Sequence, residues 1–307
     1  MNVKTSVRIG AVAGAVALGL GIMSPVASAD PADPADYRVL AGAGSDTTQD
    51  VVNALGEVID GGTLIASYNA TGSSTVKTRA TGCSIARPNG SSAGITALVA
   101  DIANNTGCID FARSSRGVKT SGTNLTFIPF AEDQVTIAVR DDSALNNDLD
   151  LTSAQLKSIY ECNTTTLGGV TLTPLLPQAG SGTRSFFLDS IGNPELGSCV
   201  GEMQEHNGVE LDSAGDIAPY SVSQYNAQVN GAVFDRHGDT VLGAIDGGQF
   251  SRDVYNVVPT TELTDSVIDA TFVGADSKVC SETDVIEFYG FTTIGADCGS
   301  TALKGNS

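Results

Sequence analysis

The chain has 307 residues and a formal net charge of −19 at neutral pH, with 16 lysines and arginines against 35 acidic residues. This balance argues against binding to nucleic acid or to an anionic membrane surface. It says little about a small ligand, because salt screens a remote surface charge over about 8 Å. The absence of tryptophan disfavours a site in which sugars stack on aromatic rings.

The first 29 residues have the organisation of a signal peptide. Lys4 and Arg8 precede an apolar run over residues 9–22, and Ala27-Ser28-Ala29 forms a small-residue cleavage site. Cleavage near Ala29 predicts a secreted, extracytoplasmic protein and takes the net charge from −19 to −21. No later segment approaches the ~20 apolar residues that cross a bilayer, so we expect no membrane insertion after cleavage.

Strand patterns alternate with helix patterns along the rest of the chain, which predicts an α/β fold with largely parallel sheets. An amphipathic helix is predicted over 47–59, with Val51, Val52, Leu55, Val58 and Ile59 on its apolar face and Ser45 or Asp46 as N-cap. Further helices are predicted from Thr75 and near 153–160, 183–191, 221–229 and 284–289. Strands are predicted at 37–41, 63–68, 108–111, 125–130, 135–140, 170–176, 241–245 and 254–258.

Three glycine-serine turns follow predicted strands and precede predicted helices. They are Gly44-Ser45-Asp46-Thr47, Gly72-Ser73-Ser74-Thr75 and Gly180-Ser181-Gly182-Thr183. A helix N-terminus offers unpaired N–H groups and a partial positive charge, while serine and threonine add hydroxyl donors. Turns of this kind that converge on one cleft would bind an anion without a fixed cation. Each turn taken alone is also what ordinary helix capping requires.

The six cysteines contain no Cys-x-x-Cys pair, which disfavours the usual zinc and redox spacings. In an exported chain they are expected to form structural disulfides. Six cysteines allow 15 connectivities, and sequence order favours Cys83 with Cys108, Cys162 with Cys199, and Cys280 with Cys298.

Six short motifs follow one another along the chain: Gly42-Ala43-Gly44-Ser45, Gly72-Ser73-Ser74, Asp110-Phe111-Ala112-Arg113-Ser114-Ser115, Ile128-Pro129-Phe130-Ala131, Leu156-Lys157-Ser158-Ile159-Tyr160 and Ala179-Gly180-Ser181-Gly182-Thr183-Arg184-Ser185-Phe186-Phe187. Their order is the one found in phosphate-type periplasmic solute-binding proteins, and the chain resembles that family from about residue 38 to 290.

The resemblance implies a two-lobed periplasmic binding protein (type II) fold that closes on an oxyanion, phosphate above all, and delivers it to an ABC permease. Lobe one would combine residues 37–132 with 258–307, and lobe two would be 133–257. The ligand would lie in the cleft between the lobes. We expect a monomer without cofactor, metal or catalytic activity.

Carried over residue by residue, the resemblance implies a set of ligand-binding residues. They are Ser45, Asp46, Thr47, Ser73, Ser115, Ser181, Gly182 and Thr183, with Ser74, Arg113, Arg116 and Arg184 as weaker candidates. Two positions depart from the family. Ser115 stands where phosphate binders usually have an aspartate that accepts a phosphate proton. Pro177-Gln178-Ala179 stands where they often have an arginine just before the Ser-Gly-Thr turn. Asp46 is a candidate for the missing acceptor.

The sequence allows three other interpretations. Gly90-Ser91-Ser92-Ala93-Gly94 matches the nucleophile elbow of serine hydrolases, but a polar segment with Pro88 precedes it instead of a buried strand. His206 and His237 lack a second histidine or cysteine at metal-ligand spacing. The third alternative keeps the two-lobed fold but uses it in a secreted scavenger, sensor or surface-interaction protein.

Overall fold

The computed structural model describes residues 37–307, so the predicted signal peptide lies outside the described residues. The strands and helices follow in this order: β1 (Leu40–Gly44), α1 (Gln49–Val58), β2 (Ile65–Ser67), β3 (Thr75–Lys77), β4 (Ser84–Ala86), α2 (Ser91–Asn104), β5 (Phe111–Ser114), β6 (Ser121–Arg140), β7 (Asp150–Leu151), α3 (Ser153–Tyr160), β8 (Thr166–Leu167), β9 (Val170–Thr171), β10 (Thr173–Pro177), α4 (Gly182–Ser190), β11 (Gly201–Met203), β12 (Asp216–Ser221), α5 (Val222–Val229), β13 (Thr240–Leu242), β14 (Ala244–Ile245), β15 (Phe250–Pro259), α6 (Ser266–Phe272), α7 (Lys278–Ser281), α8 (Thr283–Phe288) and β16 (Lys304–Gly305).

Two parallel groups of three strands are joined by a central antiparallel pair. The strands are hydrogen-bonded in the order β11-β10-β12-β6-β15-β5-β1-β2. β1 is parallel to both β2 and β5, and β10 is parallel to both β11 and β12. The long strands β6 and β15 pair antiparallel along their length, with a register shift between Val254 and Tyr255. The α/β class that the alternating pattern predicts is confirmed, and the two groups form the two lobes.

The hydrophobic core is divided between the two strand groups. Helices α1 and α6 to α8 pack against the β1 group around Leu55, Phe111 and Phe272, while α2 packs elsewhere on that group through Leu98. Helices α3 and α4 pack against the other group around a buried Phe187. The buried hydrophobic residues packed on the β1 group lie within residues 40–131 and 254–298. Those packed on the β10 group lie within residues 135–245. The residue boundaries of the lobes, 37–132 with 258–307 and 133–257, stay a prediction.

The second glycine-serine turn leads into a hairpin instead of the predicted helix. Thr75–Lys77 pairs antiparallel with Ser84–Ala86, and Val76 alone of its strand is buried. Short β-branched segments with this alternation favour a strand over a helix. The helix of this region is α2, which the sequence analysis did not predict.

Helix α1 begins two residues later than predicted. Thr48 occupies its N-cap without a side-chain capping bond, so neither Ser45 nor Asp46 caps it. The N–H of Ser45 instead donates to the carbonyl of Arg113, which extends the β1–β5 ladder. Val58, predicted on the apolar face, is 47% exposed, whereas Val51 and Leu55 are fully buried.

The predicted disulfide pairing is confirmed. The bonds are Cys83–Cys108, Cys162–Cys199 and Cys280–Cys298. Across residues 37–307, no helix combines the length and the apolar character that crossing a bilayer requires.

We expect replacement of Cys162 and Cys199 by serine to lower the free energy of unfolding by about 3–4 kcal/mol. The bond spans a sequence separation of 37 residues, and chain entropy favours cross-links that close loops of this size. Denaturant titration of the double variant and the oxidised wild type measures the difference. A loss below about 1 kcal/mol would contradict the expectation.

Candidate functional site

The turn after β1 is fully buried. Ser45, Asp46 and Thr47 each have no exposed surface. Gly44, just before them, has φ +134°, and a Cβ there would lie 2.6 Å from the carbonyl oxygen of Arg113. A residue with a side chain would be strained and would clash there, so the glycine allows the turn to pass close to β5.

Five buried hydroxyl groups meet beside this turn, and we call them the hydroxyl cluster: Ser45, Thr47, Ser91, Ser115 and Thr183. The Ser115 Oγ lies 3.1 Å from Ser45 Oγ, 3.2 Å from Thr47 Oγ1 and 3.3 Å from Ser91 Oγ. Thr47 Oγ1 lies 3.3 Å from Thr183 Oγ1. The members come from four separate segments, namely the turns after β1 and β5 and the first turns of α2 and α4.

Glycines allow α4 to approach the hydroxyl cluster. A Cβ at Gly182 would lie 2.3 Å from the hydroxyl oxygens of Ser115 and Ser91. A Cβ at Gly90 would lie 2.4 Å from the carbonyl oxygen of Gly180, to which the N–H of Ser92 donates at 3.0 Å. The first turns of α2 and α4 are therefore in contact, although the helices pack against different strand groups.

Glu205 and His206 extend into the hydroxyl cluster from the loop after β11, and both side chains are completely buried. Glu205 Oε1 accepts hydrogen bonds from Thr47 Oγ1 at 3.0 Å and from the N–H of Thr183 at 3.3 Å. His206 Nε2 lies 2.9 Å from Thr47 Oγ1. Burial alone would raise the pKa of Glu205, but hydrogen bonds from His206 and Thr183 and the charge of Arg252 hold that pKa far below its usual value.

A buried ion pair supports the other side of the cluster. Arg252 Nη2 donates to Asp133 Oδ2 at 2.6 Å and to Thr183 Oγ1 at 2.8 Å, while Nη1 donates to the carbonyl of Ser115 at 2.9 Å. Because β15 carries Arg252 and β6 carries Asp133, the central strand pair holds residues of both strand groups in position.

Asp46 in the first turn interacts with three other charged side chains, those of Arg236, Arg113 and Asp50. Asp46 Oδ2 accepts from Arg236 at 3.1 Å, and Arg113 Nε donates to the carbonyl of Ser45 at 3.2 Å. Burial raises the pKa of Asp50 to about 6, with a further contribution from Asp46 that Arg236 and Arg113 partly offset. Burial lowers the pKa of Arg113 to about 10, so its guanidinium stays charged at neutral pH.

The structure brings most of the sequence-predicted residues together. Ser45, Thr47, Ser115 and Thr183 are in the hydroxyl cluster, and Gly182 borders it. Ser181 is the N-cap of α4, where its Oγ accepts from the N–H of Arg184. Asp46 adjoins the cluster through the same turn, paired with Arg236 and Gln204.

The remaining predicted residues have other partners. Ser73 and Ser74 are exposed in the turn before β3, and Ser73 Oγ accepts a hydrogen bond from Arg87. Arg116 donates to Ser92 Oγ at 3.0 Å. Arg184 donates to the carbonyl of Pro177 and to Glu202. The turn at residues 90–91 contributes the Ser91 hydroxyl to the cluster. A ligand-binding role for Ser73 and Ser74 stays a prediction.

Sequence reasoning missed Ser91, Glu205, His206, Arg252 and Asp133 as members of the site. Ser91 did carry a signal, since it begins a helix within a glycine-serine motif of the same type as the other turns. Glu205 and His206 had no recognisable sequence signal, because they lie in an irregular loop whose position depends on tertiary packing alone.

The hydrolase and metal alternatives gain no geometric support. Ser92, the nucleophile of the elbow motif, has Arg116 as its neighbour. His206 Nε2 contacts both Thr47 and Glu205, and its Nδ1 has no hydrogen-bond partner within residues 37–307. A nucleophile–base–acid relay needs the acid on the other ring nitrogen. Among the described residues, no group of three or more potential metal ligands is close enough to hold a metal ion.

Comparison with known proteins agrees with this architecture. A family model described as a PBP superfamily domain (PBP_like_2) matches residues 27–278. A Clostridium perfringens protein described as a phosphate ABC transporter substrate-binding protein, solved with bound phosphate, has a TM-score of 0.60 at 17% identity and covers 83% of this chain and 99% of its own. An ABC-type phosphate transport receptor from Vibrio cholerae has a TM-score of 0.57 at 16% identity, with coverages of 83% and 100%.

The fold is also found outside transport receptors. OxyR from Corynebacterium glutamicum has a TM-score of 0.52 at 10% identity and covers 84% of this chain and 69% of its own. No curated protein sequence matches the chain. At these identities the structural likenesses establish the two-lobed fold.

We expect Asp50→Asn to stabilise the protein at pH 7–8 by about 1–2 kcal/mol and to have little effect below about pH 4. The pKa of Asp50 in the folded protein, about 6, is above the reference value of 3.8. Ionisation therefore costs stability, and that cost grows as the pH rises from about 4 to about 6. Because Asp50 keeps some exposure, the expected effect is below the ~3 kcal/mol that a two-unit shift implies.

Chemical denaturation of wild type and variant at pH 4 and pH 8 measures this difference. Asp148→Asn, at an exposed position, is the control. An Asp50→Asn variant that is less stable than wild type at pH 8 would show that the carboxylate is favourably paired in the folded protein.

Proposed function

Since the chain belongs to the PBP superfamily, we propose that it is an extracytoplasmic binding protein that captures phosphate or a related oxyanion between its two lobes. The observation that carries the proposal is the hydroxyl cluster, in which five buried donors from both strand groups point at one another. The proposal includes the signal-peptide cleavage near Ala29 that the sequence predicts.

The chemistry of the cluster suits an oxyanion. Hydroxyl groups and the N–H groups at the start of α4 donate to anionic oxygens, and the helix dipole adds a partial positive charge. The guanidinium of Arg252 reaches Thr183 but is neutralised by Asp133. Closely spaced, buried hydroxyl and N–H donors favour a small tetrahedral oxyanion over a larger organic ligand.

The two lobes supply different parts of the proposed site. Ser45, Thr47, Ser91 and Ser115 would come from lobe one, residues 37–132 and 258–307, and Thr183 from lobe two, residues 133–257. Opening would separate the first turns of α2 and α4 by bending the β6–β15 pair near its register shift at Val254. Asp46, Ser181 and Gly182 complete the set of residues that we propose to bind the ligand.

Phosphate is the ligand that the comparisons favour, since both transport proteins named above are described as phosphate proteins. We include delivery to an ABC permease in the proposal for the same reason. A secreted scavenger, sensor or surface-interaction protein is the second candidate, supported by the occurrence of this fold in OxyR. Neither role requires catalysis, and we propose none.

We expect Ser115→Ala to weaken phosphate binding about tenfold or more, because a hydrogen bond to a charged group contributes about 1.5–3 kcal/mol. Isothermal titration calorimetry with phosphate, sulfate, molybdate and a neutral metabolite measures the affinity and identifies the ligand class. Ser74→Ala, at an exposed hydroxyl outside the cluster, is the matched control.

An equal loss in the Ser115→Ala and Ser74→Ala variants would contradict the proposed site. Wild-type protein that binds none of the three oxyanions would contradict the proposed function and leave the second candidate.

We also expect Asp46→Asn to change the preference for phosphate over sulfate. Asp46 Oδ1 has no hydrogen-bond partner among the described residues, and a carboxylate can accept a proton that phosphate carries and sulfate lacks. Competition calorimetry with the two anions gives the ratio of affinities. An unchanged ratio would eliminate Asp46 as the acceptor.

A further inference from the structure

A surface pocket with a volume of about 250 Å³ is formed by α7, α8, the segment that follows α8 and the central strand β6. Its floor consists of buried apolar groups, namely the Phe130 ring, the Ile286 side chain and the Cys280–Cys298 disulfide. None of the residues that line it belongs to the hydroxyl cluster. The pocket is therefore separate from the proposed oxyanion site.

Phe130 reaches the pocket from an irregular position in β6. The register pairs Ala131 with Val254 and Pro129 with Tyr255, so Phe130 has no opposite residue in β15. A β-bulge of this kind redirects a side chain and is a feature that a strand pair forms at a defined place. The ring of Phe130 is 2% exposed and forms part of the pocket floor.

Backbone hydrogen bonds fix the walls around this floor. The N–H of Gly299 donates to the carbonyl of Pro129 at 2.8 Å, and the N–H of Gly274 donates to the carbonyl of Gly299 at 2.9 Å. Thr292 and Glu132 exchange two backbone hydrogen bonds of 2.8 and 3.0 Å. Together with the disulfide, these bonds give the pocket a preformed shape, which is usual for a small-molecule site.

Carboxylates flank the residues that line the pocket. Asp284 follows Thr283 in the chain and Asp297 precedes Cys298, and both carboxylates belong to exposed residues. Another carboxylate, that of Glu287, accepts a hydrogen bond from a second lining threonine, at position 293, at 3.2 Å. The apolar floor is thus combined with acidic surroundings.

The same segment has little positive charge to balance its carboxylates. Its one base, Lys278, donates to an aspartate of another segment at 2.6 Å. Burial and the charges of Glu132 and Asp297 raise the pKa of Asp253, so the negative potential extends onto β15. Residues 274–299 contain five acidic residues: Asp276, Glu282, Asp284, Glu287 and Asp297.

Shape and charge together define a class of ligand. The floor offers contact to a hydrocarbon group, whereas the carboxylates attract a cation and repel an anion. The volume is just below the range of about 300–1,000 Å³ of drug-sized sites, so it suits one ring with a short chain.

A protein partner is a poorer fit to this surface. A stable protein interface buries about 800 Å² on each side. Of the large apolar side chains exposed within residues 37–307, Phe288 alone lies in the segment 274–299. The apolar surface here is confined to the pocket and its rim, which favours a small molecule.

We propose that this pocket is a second ligand site, which binds a small organic ammonium compound. The ring or branched alkyl group of the ligand contacts Phe130 and Ile286, and the ammonium group lies near Asp284 and Asp297. The threonine hydroxyls of the pocket accept hydrogen bonds from the ammonium N–H groups. The site shares no residue with the hydroxyl cluster, so it does not depend on the proposed function.

The test uses phenethylammonium as the ligand probe, in an NMR titration of the ¹⁵N-labelled protein. We expect a dissociation constant of about 1 mM or tighter, with amide shifts confined to the pocket. Phenylacetate and 2-phenylethanol are close in size but carry negative and no charge, so both should bind more weakly, phenylacetate by about tenfold or more. Methylammonium has the charge without the ring and should not bind at the same concentrations.

Two variants separate the apolar contribution from the charge. Ala275→Trp places a large ring at an exposed residue that lines the pocket, and it should abolish binding. Asp284→Asn combined with Asp297→Asn should weaken phenethylammonium about threefold or more and leave 2-phenylethanol unchanged. The matched control combines Asp141→Asn with Asp148→Asn, two exposed carboxylates elsewhere on the chain, and should bind as wild type does.

Amide shifts that lie elsewhere, or phenethylammonium binding that survives Ala275→Trp, would overturn the proposal. Equal binding of phenylacetate and phenethylammonium would do the same, because the carboxylates would then have no part in recognition. So would the absence of phenethylammonium binding at millimolar concentrations. Phosphate titration of the same variants keeps the two sites apart: wild-type protein that binds phenethylammonium but no oxyanion would end the proposed function and leave this site standing.

Discussion

A buried hydroxyl group needs a hydrogen-bond partner, and in this protein five of them have been brought from four distant segments to a single point. Burial without a partner costs about 1–3 kcal/mol for each group, so the chain must provide an acceptor whenever the lobes are together. In the closed structure the hydroxyl groups pair with one another and with the carboxylate of Glu205. This requirement connects the fold to the proposed function, because the oxygens of an oxyanion are also hydrogen-bond acceptors.

The approach of the segments depends on residues that lack side chains. Gly90, Gly180 and Gly182 let the first turns of α2 and α4 contact each other across the lobes. The central strands β6 and β15 then connect the lobes, and the Asp133–Arg252 pair on these strands lies against Thr183 and Ser115. The lobes are therefore joined by backbone contact at the turns and by hydrogen bonds of the buried Arg252, Asp133 and Glu205 side chains at the centre.

Much of this arrangement could be predicted from the sequence, and the limits have physical causes. The helix predicted near 153–160 is α3 at its observed bounds, and sequence order predicted the disulfides. The turns at Ser45 and Ser181 were recognised because glycine and serine before a helix have a local signature. The turn at Ser73 was predicted to precede a helix but leads into a hairpin, because a glycine-serine sequence is compatible with both. Glu205 and Arg252 could not be predicted, because only tertiary packing brings them to the cluster.

A crystal structure of the protein grown with phosphate would show whether the hydroxyl cluster is the anion-binding site. We expect one phosphate within hydrogen-bond distance of Thr47, Ser115 and the N–H of Thr183. Phosphate bound elsewhere, with the hydroxyl cluster unchanged, would rule this site out.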